Sequence, residues 1–102
     1  MDKKIGNHTV SVNEEGYLTD FSQWNKEIGT EIAKELEIDM TERHWKVIDY
    51  LHGKHKNEEA LSIRGIKKSG VVNVKEFYGL FPKGPLKVST KIAGIPKPKS
   101  CI

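Results

Sequence analysis

At 102 residues, 36% hydrophobic and 30% charged, the chain has the size and make-up of one globular domain around a single core. No apolar run approaches the roughly 20 residues that span a bilayer, so no membrane partner is expected. The net charge of +3 conceals an asymmetry, because residues 1–63 carry 8 Lys or Arg against 13 Asp or Glu, whereas residues 64–102 carry 9 against Glu76 alone.

That basic half favours an anionic partner, either nucleic acid or an acidic protein surface; a solubilising face is the plainer alternative. Residues 1–7 lack the apolar stretch of a secretory leader, which makes the cytoplasm the expected location. A reducing compartment would keep the single cysteine, Cys101, as a thiol.

His8 to Val12 alternates and is rich in β-branched residues, Asn13 to Gly16 supplies turn chemistry, and Tyr17 to Thr19 returns. This predicts a small N-terminal β-hairpin, which needs helices to pack against. Phe21, Trp24, Ile28, Ile32 and Leu36 recur at three- and four-residue spacing and predict an amphipathic helix over 22–37, capped by Asp20 or Ser22. Gly29 weakens that helix unless a neighbour packs close to it.

Thr41 is a good cap for a second helix, with Trp45, Val47, Ile48 and Leu51 on its apolar stripe and an end at Gly53. A third helix is expected over 58–68 with Ala60, Leu61, Ile63 and Ile66 inward, ending at Gly70. Asn73 followed by Glu76 resembles a capping box for a short fourth helix running to Phe81 and stopped by Pro82. Gly84 and Pro85 open a fifth, with Leu86, Val88 or Ser89, Ile92 and Ala93 inward and Gly94 as its stop.

The expected fold is therefore mainly α, a small orthogonal bundle of about five helices over residues 1–94, with the N-terminal hairpin and an extended arm over 95–102. Pro96 and Pro98 stiffen that arm, which at about 3.1 Å per residue carries Cys101 roughly 15 Å from Pro96. A thiol on a stiff arm suits chemistry delivered into a partner's site, while a frayed tail with an incidental cysteine fits the same residues.

Other constellations are weak. His52 and His55 have metal-like spacing but no second ligand pair, and a solvated helix end is the simpler reading. His44 reads as a surface or partly packed histidine. Neither a metal nor any other cofactor is called for. No phosphate loop appears, and no general base accompanies the thiol, so a carrier fits better than a stand-alone enzyme.

Five blocks carry a family resemblance: Glu15-Gly-Tyr-Leu18; Trp24-Asn25 with Glu27-Ile28; Thr41-Glu-x-His44-Trp45-x-Val-Ile48; Leu80-Phe-Pro-x-Gly-Pro85; and Lys91-Ile-Ala-Gly-x-Pro-Lys-Pro98 with the penultimate Cys101. Nearly end to end, the chain resembles the DsrC/TusE family of sulfite reductase gamma-subunit-like and sulfur-relay proteins. The resemblance implies a persulfide-carrying Cys101, a persulfide donor protein, and an acceptor such as sulfite reductase or a tRNA-thiolation complex, with an indirect tRNA contact.

In DsrC proper a second cysteine lies eleven residues before the first; here that position is Thr90, which departs from the sulfur-bridging pattern and looks like TusE or single-cysteine DsrC paralogues. Residues 53–64 also depart from the family. Lys83, Lys87, Lys91, Lys97, Lys99 and Arg64 are the candidates for docking an anionic partner. Against the carrier stands a second reading, a regulatory or binding module for protein or nucleic acid, helix-turn-helix-like and indifferent to Cys101.

Overall fold

In a computed structural model that describes residues 1–59 and 61–96, the chain folds as β1 (Asp2–Ile5), β2 (His8–Ser11), a 3-10 turn (Phe21–Gln23), α1 (Lys26–Glu35), α2 (Glu42–Lys56), α3 (Ile63–Ser69), α4 (Val74–Leu80) and α5 (Pro85–Ala93). The helical bundle with an N-terminal hairpin is as expected. The hairpin's position is not: His8–Ser11 is its second strand, paired antiparallel to β1 with Ile5 opposite His8 and Asp2 opposite Ser11. Gly6, at φ +59°, makes the tight reversal with Asn7. The turn expected at Asn13 to Gly16 also forms, through Asn13 Oδ1 accepting from the backbone N–H of Glu15 and Tyr17, but only one bridge, Val12 with Leu18, follows it.

The first helix begins later than its apolar spacing predicts. Asn25 accepts a hydrogen bond from Ile28 N–H at 2.9 Å and so nucleates α1, leaving Trp24 extended at ψ 141° outside it. Asp20 caps the separate 3-10 turn. α2 runs past Gly53 to Lys56, since one exposed glycine with no neighbour within 4 Å costs a helix only about 1 kcal/mol. α3 starts five residues later than expected, at Ile63, where Ser62 accepts from Gly65 N–H; Glu58 adopts φ +55° and cannot begin a helix. Ala60, expected on α3, lies outside the described residues.

Asn73 caps α4 through Glu76 N–H at 2.7 Å, yet the Glu76 carboxylate turns away from the capping box and forms a bidentate pair with Arg43 of α2. Pro85 opens α5 and Gly94 closes it at φ +73°. α5 packs on α1 and α2 and more lightly on α4, while α3 packs on α4. Phe77, Phe81, Ile48, Leu51, Ile66 and Ile92 form the centre of one core that also takes in Ile5, Val10 and Val12 of the hairpin. Ser89 and Thr90 face inward beside Leu86, Ile92 and Ala93, and Val88 is partly buried against the same core.

Candidate functional site: the root of the C-terminal arm

Everything expected of the arm depends on where α5 ends. A helix leaves its last carbonyls without intrahelical partners. Here side chains remote in sequence take two of them. The Trp24 indole N–H donates to Ile92 O at 2.7 Å, and His52 Nε2 donates to Ala93 O at 2.9 Å. Because a carbonyl only accepts, Nε2 is the protonated nitrogen of that imidazole.

The next two residues complete the arrangement. Gly94 lies under the Trp24 ring, so closely that an added Cβ would sit 2.7 Å from Trp24 Cγ. Ile95 is buried and its N–H bonds back to Thr90 O at 3.2 Å, and Pro96 is the first exposed residue. Gly29 clears space on the other side, where a Cβ would meet Trp24 Cζ2 at 2.9 Å and Ile92 O at 3.2 Å. The neighbour that its sequence position required is therefore Trp24 together with α5.

Trp24 belongs to an aromatic group. Its ring lies 4.5 Å from the His52 ring, edge to face, and 6.3 Å from Phe21, stacked, while Phe21 meets His52 and His55 edge to face at 5.0 and 5.1 Å. His52 and His55 are thus half-buried packing groups rather than a solvated helix end. Burial holds the His52 imidazole below its usual titration range; the Ala93 carbonyl and Asp49 oppose this, and Lys56 and His55 reinforce it. Among the described residues no group of three His, Cys, Asp or Glu is placed to hold a metal.

His44 is corrected as well. It is buried, edge-on to Phe81, with Nδ1 accepting from Thr41 N–H at 3.1 Å and Nε2 donating to Leu80 O at 2.9 Å. A histidine thus takes the place of the acid in this capping box, which ties the start of α2 to the end of α4.

Of the basic candidates, Lys87 and Lys91 lie one turn apart on α5, and Lys83 stands in the turn before it at φ +71°. Lys83 lines an open cleft of 490 Å³ with Leu36, Glu37, Ile38 and Val88. Lys91 reaches over the Tyr17 ring, 5.7 Å from its centroid, and the Tyr17 hydroxyl donates to Lys87 O at 3.0 Å. Arg64 is exposed on α3 beside Lys67 and Lys68, an element that rests on α4 rather than on the α5 row. Cys101, Lys97 and Lys99 lie outside the described residues. Trp24 and His52 were missed as arm-root residues, since apolar spacing assigns the one to a helix face and the His-x-x-His spacing assigns the other to a helix end.

Comparison with known proteins agrees with this architecture. Residues 4–102 match the family described as DsrC like protein. The chain is 39% identical over 101 residues to the sulfurtransferase TusE of Photorhabdus laumondii, covering 91% of each. It superposes along its full length on the whole of Allochromatium vinosum DsrC, with a TM-score of 0.83 at 29% identity. The oxidised gamma-subunit of the dissimilatory sulfite reductase from Archaeoglobus fulgidus gives 0.80 at 30% identity, again over both full lengths. With its helical bundle and hairpin matched along the full length of these proteins, the chain belongs to the DsrC/TusE family of sulfur-relay proteins.

Proposed function

We propose that Cys101 is the sulfur-carrying residue of this relay, working as a single cysteine in the cytoplasm. The observation that carries the reading is Thr90: it is buried, and its hydroxyl donates to Leu86 O at 2.6 Å inside α5. A hydroxyl so placed forms no bond to sulfur, so sulfur arriving at Cys101 has no thiol on α5 to bridge to.

The step is then a simple exchange. The Cys101 thiolate attacks the terminal sulfur of a donor protein's persulfide, the donor's S–S bond breaks, and the donor leaves as a thiolate. Cys101 now holds the persulfide and passes its terminal sulfur to an acceptor thiolate in the same way. One neutral sulfur atom moves and no outside oxidant is used. The partners are proteins: a persulfide donor, and an acceptor that is either a sulfite reductase or a tRNA-thiolation complex, the second bringing tRNA into indirect contact. Lys83, Lys87 and Lys91, continued by Lys97 and Lys99, steer the arm towards an acidic acceptor surface. Residues 95–102 act as the arm, with Ile95 as its buried anchor, and residues 1–94 as the body that carries it.

Intact-mass measurement after incubation with a cysteine desulfurase and cysteine tests this. The expected outcome is a reductant-sensitive gain of one sulfur atom that disappears in Cys101→Ser; a gain retained in that variant overturns the mechanism. The second reading, a binding module, draws on Arg64, Lys67 and Lys68 standing on α3 apart from the α5 row. It expects steeply salt-dependent nucleic-acid binding that survives Cys101→Ser.

A further inference from the structure

We infer that Trp24 and His52 are positioning residues for sulfur transfer: by holding the last two carbonyls of α5 they set the direction in which the chain leaves the body at Pro96. The inference rests on Cys101 being the carrier, and three features support it.

First, the two donors come from different elements. Trp24 lies just before α1 and His52 lies on α2, so the α5 terminus is tied to the segment that leads into one packing helix and to a second helix directly. Two anchors on adjacent carbonyls restrict the rotation of the last turn in a way that one cannot.

Second, the Trp24 ring packs closely on Gly29 and Gly94. Gly29 and Gly94 both lack the Cβ that would collide with the Trp24 ring, and Phe21 and His52 close on that ring from its stacked side and its edge. A shift of the ring towards α5 would displace Gly94, the residue at which the helix gives way to the arm.

Third, the anchoring stops where the arm begins. Ile95 is 1% exposed and hydrogen-bonded, and Pro96 is exposed. Local bonds within the last turn would suffice merely to end a helix. Long-range donors to two successive carbonyls also determine its aim, and a small misplacement at a reacting centre is costly to rate.

The test uses the full chain with a nitroxide on Cys101, the only cysteine, and maps broadening of backbone amide signals. Trp24→Phe keeps a ring but removes the N–H. His52→Leu removes the imidazole donor, and His52→Gln restores an N–H near the Nε2 position. The expected result is a broadening pattern that redistributes over the surface in Trp24→Phe and His52→Leu and returns in His52→Gln, while amide shifts far from α5 stay in place.

In sulfur loading from a cysteine desulfurase, the first two variants should lose about tenfold in kcat/KM, with the reaction of Cys101 towards a small disulfide reagent unchanged. An unaltered broadening pattern in both overturns the inference, even if relay is intact. A lower loading rate that His52→Gln fails to restore also overturns it, as it assigns the loss to stability alone. Loading retained in Cys101→Ser, by contrast, defeats the carrier reading and leaves the broadening result standing.

Discussion

Gly70 and Gly94 both end helices in the left-handed conformation, at φ +76° and +73°, and their surroundings are opposites. Beyond Gly70, at the end of α3, there is open space; over Gly94, at the end of α5, lies the Trp24 ring. The same contrast runs through the elements they close. α3, which Gly70 closes, is a seven-residue helix started by its own neighbour Ser62 and buries one residue, Ile66; α4 likewise starts on its neighbour Asn73 and buries Phe77, although its last carbonyl, Leu80 O, accepts from His44 of α2. The end of α5 is held by side chains 68 and 41 positions away in sequence. Short-range chemistry is enough to make a helix that presents lysines to solvent. Aiming a functional segment takes contacts from across the fold.

The widest separation between the two regions should appear on substituting alanine for each glycine. Gly94→Ala combines left-handed strain with overlap against Trp24, costing about 3 kcal/mol. For a chain of this length that is a fall in Tm of roughly 15 °C. Gly70→Ala carries the backbone term alone, about 1 kcal/mol. Equal losses in thermal melts would erase the distinction.

Trp24→Phe comes next. It leaves Ile92 O without its donor in a partly buried site and should cost about 1–2 kcal/mol by denaturant titration. Asn73→Ala removes a purely local cap and should cost about 1 kcal/mol, with the α5 amides showing no change in hydrogen exchange. Loss of protection at α5 in that variant would mean that the two regions are not independent.

The smallest effect is a dependence on pH. His52 titrates below its usual range when folded, so the unfolded chain takes up its proton first as pH falls. Its contribution to stability is fully present above about pH 6.5 and declines as pH drops from there towards the lowered folded value. The stability slope in that window should flatten in His52→Gln. Asp20 and Glu76 also titrate below their usual values when folded, but as carboxylates they act in a separate, more acidic window. A slope unchanged by His52→Gln would remove His52 as its source.

Much of this architecture was legible before any coordinates. Thr41, Asn73, Pro85 and Gly94 mark helix ends by chemistry that acts within a few residues, and all four are used as their types suggest. Misplaced boundaries occurred where two local signals competed. The apolar period through Phe21 and Trp24 argued for an early helix, and the Asn25 cap won because it satisfies Ile28 N–H directly. β1 carries no strand signal of its own, because Asp2, Lys3 and Lys4 show no alternation; their pairing comes from the Gly6 turn and from burial of Ile5.

By itself the sequence determined the number of helices, most of their caps, the basic second half, and the family blocks that end at Cys101. Those are properties of residue type and spacing, and they survive without knowledge of what packs on what. Tertiary structure decided the roles of Trp24, His52 and His44, because a hydrogen bond to a carbonyl 36 to 68 residues away leaves no periodic trace in the chain. It also decided that Thr90 is sealed within α5 and that Arg64 stands on a different element from Lys87 and Lys91. Burial and juxtaposition arise only when helices dock, and the aim of the arm at Pro96 follows from how three of them meet.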